Sequence, residues 1–197
     1  DRLLAVIGRG HVGRLVAEKA QGLGMRGIGF DPALGLKARR DLGFECVELE
    51  DALAYADFVS LHVPLTPSTR HLVNADLLSR MKPGVRIVNC SRGGVVDEEA
   101  LAAALHKGQI AGAALDVCEH ESPFRTPLVD APGTLLTPHL GAETAEAKTL
   151  VTARILQQVR DYLVSGVTEG GVNGLDVDPS IKGEIEPFLG LARRLGR

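Results

Sequence analysis

The sequence predicts an α/β protein built on a doubly wound parallel sheet, and three observations carry that prediction. Short β-type runs alternate with helix-patterned stretches along most of the 197 residues. Within the runs the apolar residues are nearly continuous, as in strands covered on both faces. A glycine-rich turn, Gly8-Arg9-Gly10-His11-Val12-Gly13, joins the first run to the first helical pattern.

The first strand is expected over residues 3–7 (Leu-Leu-Ala-Val-Ile), ending at the glycine turn. Val12, Leu15, Val16, Ala20 and Leu23 then recur at helical spacing. A second strand over 25–30 runs into Asp31, and short helices are expected over 34–42 and 51–55, with a weak strand at 45–47 between them. The strand at 57–61 leads to His62, and a helix over 74–81 is closed by the Pro83-Gly84 turn. After the strand at 85–89, Asp97 caps a helix through Leu105, with Glu98 and Glu99 suited to its positive end. Strands at 110–115 and 134–137 follow. A long helix is expected from Ala142 to about Leu163, with Leu150, Val151, Ile155, Val159 and Leu163 on one stripe. Past Gly166, residues 168–179 are rich in glycine and acidic side chains, and 181–197 form a short amphipathic tail. The expected division is a dinucleotide-binding domain over 1–166 and a connector over 167–197, leading toward substrate or regulatory domains.

Composition narrows the class. The length suffices for a full core. A net charge of −3, with no basic run longer than an Arg-Arg pair, argues against a nucleic-acid partner. No apolar stretch reaches the roughly 20 residues of a membrane-spanning helix. Cys46, Cys90 and Cys118 are too few and too scattered for a disulfide framework, which favours a reducing, cytoplasmic location. The chain starts without methionine and enters a strand at once, as a piece of a longer protein would.

The glycine turn has a mechanism in its strand–turn–helix setting. Gly8 permits the tight turn, Gly10 lets a pyrophosphate approach the backbone, and Gly13 lets helix and strand pack closely. The helix N-terminus offers N–H groups to the phosphates. Asp31, at the end of the second strand, suits the hydroxyls of an adenosine ribose and repels a 2′-phosphate, which favours NAD over NADP. The expectation is a Rossmann-type NAD-binding domain.

Three polar islands follow apolar runs: Asn89-Cys90-Ser91-Arg92-Gly93-Gly94, Leu115-Asp116-Val117-Cys118-Glu119-His120-Glu121 and Thr137-Pro138-His139-Leu140-Gly141-Ala142. In a parallel sheet such strand ends converge on the ligand crevice. Arg92 suits bidentate capture of a carboxylate. His139 suits proton exchange near neutral pH. A carboxylate beside it would stabilise its imidazolium form, and spacing leaves Glu119 and Glu121 both open for that part. Cys118, His120 and His139 lack zinc spacing, so no metal is expected. Neither Cys90 nor Cys118 has an activating partner in the pattern.

These residues, with Phe30-Asp31-Pro32, the segment from Ser60 to Thr66 (Ser-Leu-His-Val-Pro-Leu-Thr) and Met81-Lys82-Pro83-Gly84, resemble the D-isomer-specific 2-hydroxyacid dehydrogenases. The resemblance covers nearly the whole chain. It implies that Arg92 binds the substrate's carboxylate and its C2 oxygen, and that His139 is the acid/base. It selects Glu121 as the catalytic glutamate, and implies cofactor contacts at His11, Val12, Asp31, Val63, Cys90, Ser91, Asp116 and the stretch His139, Leu140, Gly141 and Ala142. His11, Val63 and Ser122 depart from residues common in the family. The tail, with Gly171-Val172-Asn173 and the segment from Glu186 to Gly196, is similar to the exit toward extra C-terminal domains in some members. Together these imply a cytoplasmic, NAD-dependent oxidation of a phosphorylated 2-hydroxy acid by a protein that is a homo-oligomer at full length. Another 2-hydroxy acid, or a non-catalytic dinucleotide sensor, are the alternatives.

Overall fold

The structure is a computed structural model that describes residues 2–31, 45–121, 125–166 and 182–195. It divides into two compact units, Asp1–Gly141 and Ala142–Arg197.

The first unit holds seven strands: β1 (Leu3–Ile7), β2 (Arg26–Phe30), β3 (Glu45–Cys46), β4 (Phe58–Leu61), β5 (Val85–Asn89), β6 (Ile110–Leu115) and β7 (Thr134–Leu136). All pair in parallel, in the order β3-β2-β1-β4-β5-β6-β7. The chain therefore builds outward from β1 in one direction, returns, and continues from β4 in the other. That reversal leaves a crevice beyond the carboxyl ends of β1 and β4, where loops from both halves meet.

Burial explains the apolar strands. In β1, Ala5 and Ile7 belong to the main core with Val59, Leu61, Ile87, Leu101 and Leu115. Leu4 and Val6 point to the other face and pack with Ala17 and Ala20 of α1 (His11–Gly22). The main core is closed by α2 (Leu49–Tyr55), α3 (Ala75–Arg80) and α4 (Glu98–His106) through Leu53, Leu78 and Leu101. Asn74 and Asp97 cap α3 and α4, their side chains accepting from Leu77 N and Ala100 N.

Two helix starts differ from expectation. α2 begins at Leu49, not Asp51, because Glu50 and Asp51 sit inside its first turn, where negative charge suits the helix dipole. In the second unit α5 (Ala145–Ser165) begins three residues after Ala142, because Thr144 is the cap and accepts from Ala147 N at 3.1 Å. The anticipated stripe of α5 is solvent-exposed, from 49% at Val159 to 76% at Leu163. α6 covers Lys182–Leu195. The helix expected over 34–42 and most of the connector expected from 167 lie outside the described residues. Among the described residues no helix is long and apolar enough to cross a membrane.

Candidate active site

At the end of β1, Gly8 turns at φ +90°, and its N–H donates to Phe30 O at 2.8 Å. A Cβ there would lie 2.5 Å from His62 O, so glycine is what lets the loop meet the end of β4. A Cβ on Gly13 would strike Gly8 O, which explains the tight helix–strand junction. Gly10 is different: nothing lies within 4 Å of its missing Cβ. It opens α1 with no side-chain cap and no acidic residue in the first turn. An open, uncapped helix N-terminus fits the phosphates of a dinucleotide. Asp31 Oδ2 accepts from Arg9 N at 2.6 Å, which fixes the carboxylate beside the loop.

Across the crevice, the backbone after β5 is folded by Asn89. Its Oδ1 accepts from Ser91 N at 3.0 Å and from Ser91 Oγ at 2.7 Å, and its Nδ2 donates to Arg92 O at 3.2 Å. Arg92 Nη1 donates to Ser91 O at 2.6 Å. A cavity of about 250 Å³ at the reversal of strand order is lined by Val12, His62, Val63, Pro64, Cys90, Ser91 and Arg92. Five of these, Val12, Val63, Cys90, Ser91 and Arg92, are candidates named from sequence.

Asp116 organises the third corner. Its Oδ1 accepts from Thr137 Oγ1 and, at 2.8 Å, from Leu140 N, while Oδ2 accepts from Gly141 N at 2.8 Å. Burial pushes this carboxyl up, but the bonds from Thr137, Leu140 and Gly141 and the nearby His139 outweigh burial and hold it below its ordinary value. Asp116 N donates to Asn89 O, and His139 N to Asp116 O, both at 2.9 Å, so the three islands share one backbone network.

His139 Nδ1 lies 3.0 Å from Glu121 Oε2. An ionised carboxylate can only accept, so Nδ1 carries the proton and Nε2 is the nitrogen left to exchange one. Both side chains are about half exposed. Neither lines the 250 Å³ cavity, and Glu119 is engaged elsewhere, with Arg70 and His71. Ala142 begins the second unit.

One contributor, Arg9, is not singled out by the sequence. Arg9 is 2% exposed, lies across Gly29 where a Cβ would be 2.7 Å from its Cδ, and donates to Cys46 Sγ at 3.0 Å. Only the juxtaposition of β2 and β3 reveals that role. His62 shares a hydrogen bond of 2.8 Å with Ser60 Oγ, and burial pushes its imidazole below the ordinary value, so it is neutral near neutral pH. Burial, then the charge of Asp116, raises the Cys90 thiol; burial, then Glu98 and Glu121, raises Cys118 to about 11. Both thiols are thus protonated and poor nucleophiles. Among the described residues no group of three His, Cys, Asp or Glu side chains could hold a metal ion.

A doubly wound parallel α/β sheet with a glycine turn after β1, an arginine loop after β5 and a His–Glu pair from the segments after β6 and β7 defines the class, and comparison with known proteins supplies the family. The family model described as "D-isomer specific 2-hydroxyacid dehydrogenase, NAD binding domain" matches residues 1–141. The chain belongs to that family and carries its NAD-binding domain. It is 44% identical over 197 residues to D-3-phosphoglycerate dehydrogenase 2, chloroplastic, of Arabidopsis thaliana, covering 100% of this chain and 32% of that protein. It is similar to a solved glyoxylate reductase from Paecilomyes thermophila (TM-score 0.79, 34% identity, 87% of this chain and 52% of that one). It is also similar to D-lactate dehydrogenase from Aquifex aeolicus complexed with NAD and lactic acid (TM-score 0.72, 29% identity, 82% and 53%). The chain spans about a third of the length of the curated relatives it matches.

Proposed function

We propose that the protein carrying this chain oxidises 3-phosphoglycerate to 3-phosphohydroxypyruvate, the first step of serine biosynthesis. The observation that carries the chemistry is the 3.0 Å pairing of His139 with Glu121, joined through Asp116 to the loop that bears Arg92. Gly8, Gly10, His11, Val12 and Gly13 would hold the phosphates, Asp31 the adenosine ribose, and Val63, Cys90, Ser91, Asp116 and the 139–142 stretch the nicotinamide half. NAD, when bound, supplies the acceptor for the hydride released from C2. Arg92 binds the α-carboxylate and draws charge onto the C2 oxygen. His139 takes the hydroxyl proton at Nε2, and Glu121 holds the ring in that tautomer and stabilises the imidazolium that forms.

The phosphorylated substrate is supported by the phosphoglycerate dehydrogenases, which align along the whole chain at about 40% identity. The likeness to a glyoxylate reductase favours a second reading, reduction of a small 2-oxo acid. Steady-state kinetics of the complete protein on 3-phosphoglycerate, glyoxylate and hydroxypyruvate separates the two: the highest kcat/KM is expected for 3-phosphoglycerate, and a preference for either oxo acid would replace our reading. Titration calorimetry on this chain should show NAD binding more tightly than NADP. The reverse order would remove Asp31 from the ribose site. Because the chain spans a third of its relatives' length, we expect it to bind NAD yet turn over negligibly by itself. Substantial NADH formation by the chain alone would overturn that expectation.

A further inference from the structure

Glu119 and Glu121 lie two residues apart and make different contacts. Glu119 Oε1 accepts from Arg70 Nη2 at 3.0 Å and lies 2.8 Å from His71 Nε2. Its backbone N–H donates at 2.7 Å to Oε1 of Glu98, a side chain buried at the start of α4. The Arg92 loop is packed into the same place. A Cβ on Gly93 would run into the Cys118 carbonyl, and one on Gly94 would lie 3.1 Å from Glu119 Oε1. His71 N donates to Gly94 O at 2.8 Å, from a backbone at φ +49° that a residue with a Cβ keeps only when its surroundings hold it. Two segments, 70–71 and 93–94, therefore meet the 118–119 segment around one carboxylate. Neither Glu119 nor its three partners line the cavity of Cys90, Ser91 and Arg92.

We propose that Glu119, clasped by Arg70 and His71, is a positioning residue that fixes the Arg92 loop relative to the Glu121 segment. The proposal rests on the parts given above to Arg92 and to the His139–Glu121 pair. Arg92 leaves the sheet after β5, Glu121 after the neighbouring β6, and His139 after β7. The strand pairing ends at Asn89 and Leu115, with one further bond from Asp116 N to Asn89 O. Beyond that bond, side chains have to hold the two loops together. Charge-assisted bonds from two residues of a third segment to one oxygen are strong enough for it, and small displacements of such groups are costly in rate. Gly94 leaves the space that the carboxylate reaches into.

The test uses Glu119→Ala and Glu119→Gln, in this chain and in the complete protein. In this chain, Glu119→Ala should speed amide hydrogen exchange at 92–96 and 118–121 together, leaving β1, α1 and NAD affinity unchanged. In the complete protein it should lower kcat/KM for the hydroxy acid about 10- to 100-fold, through both KM and kcat, with KM for NAD unmoved. Glu119→Gln, whose amide oxygen still accepts from Arg70, should recover most of that loss. Unchanged exchange in the two segments, exchange raised throughout the sheet, loss of NAD affinity or unchanged kinetics would each overturn the proposal. A wild-type protein without turnover on any 2-hydroxy acid would overturn the functional reading alone, and the exchange measurement would still decide the part played by Glu119.

Discussion

His139 holds a φ of +55°, one of two residues other than glycine in the left-handed region among those described. Pro138 precedes it, and Asp116 fixes the backbone at 139, 140 and 141. The imidazole is thus delivered from a conformation that costs a side-chain-bearing residue about 1–2 kcal/mol. Two outcomes follow at this position. His139→Ala in the complete protein should lower kcat by about 10²- to 10⁴-fold while NAD binding persists, as expected for loss of an acid/base. Turnover kept in that variant would remove His139 from the acid/base part, and a wild-type protein that binds NAD without turning over would make a non-catalytic dinucleotide sensor the better reading. His139→Gly should unfold at higher urea than His139→Ala, by on the order of 1 kcal/mol, since glycine removes the conformational cost. Residue types were readable in the sequence, but their partners were not. Glu119 and Glu121 are equivalent by spacing; the family resemblance selects Glu121, and the folded chain puts it on His139 and puts Glu119 on Arg70 and His71.

The strands were the most legible elements, each of the six main ones falling within a residue of its expected bounds. Burial on both faces forces a continuous apolar run, and Leu4 and Val6 against Ala5 and Ile7 show that requirement directly. Helix starts are less legible because acidic residues serve equally as caps and as first-turn charges: Asp51 lies inside the first turn of α2, and Asp97 is the cap of α4. Asp97→Ala should lose the bond to Ala100 N and cost about 1 kcal/mol, read as a lower urea midpoint with an unchanged m-value. At the glycine turn, Gly8→Ala should both weaken NAD binding and destabilise the sheet, because the added carbon meets the backbone of His62 rather than a mobile side chain. A fully stable Gly8→Ala protein with native NAD affinity would refute that account of the turn.

Across the molecule, the opposite end of the sheet is tied by one carboxylate. Asp57 accepts from Leu3 N at 2.9 Å and Lys82 Nζ at 2.6 Å, with Arg2 nearby. The Lys82 hydrogen bond, then that of Leu3, lowers its carboxyl from 3.8 to about 2. A carboxyl depressed on folding stabilises the native state above its ordinary pKa, and that contribution is lost as pH falls from 3.8 toward about 2. Asp57→Asn should therefore be less stable at neutral pH and show a flatter fall in melting temperature over that acid range. An unaltered acid profile would show that the tie contributes nothing. The glycine turn is bound to the sheet in a further sense. The side chain of Arg9 occupies the space that Gly29 leaves bare and ends on Cys46 of β3. The turn is consequently not a cassette that can be exchanged by itself between relatives: a graft carrying an arginine at position 9 has to bring a glycine at 29 with it, so the loop and two strands distant in sequence form one heritable unit.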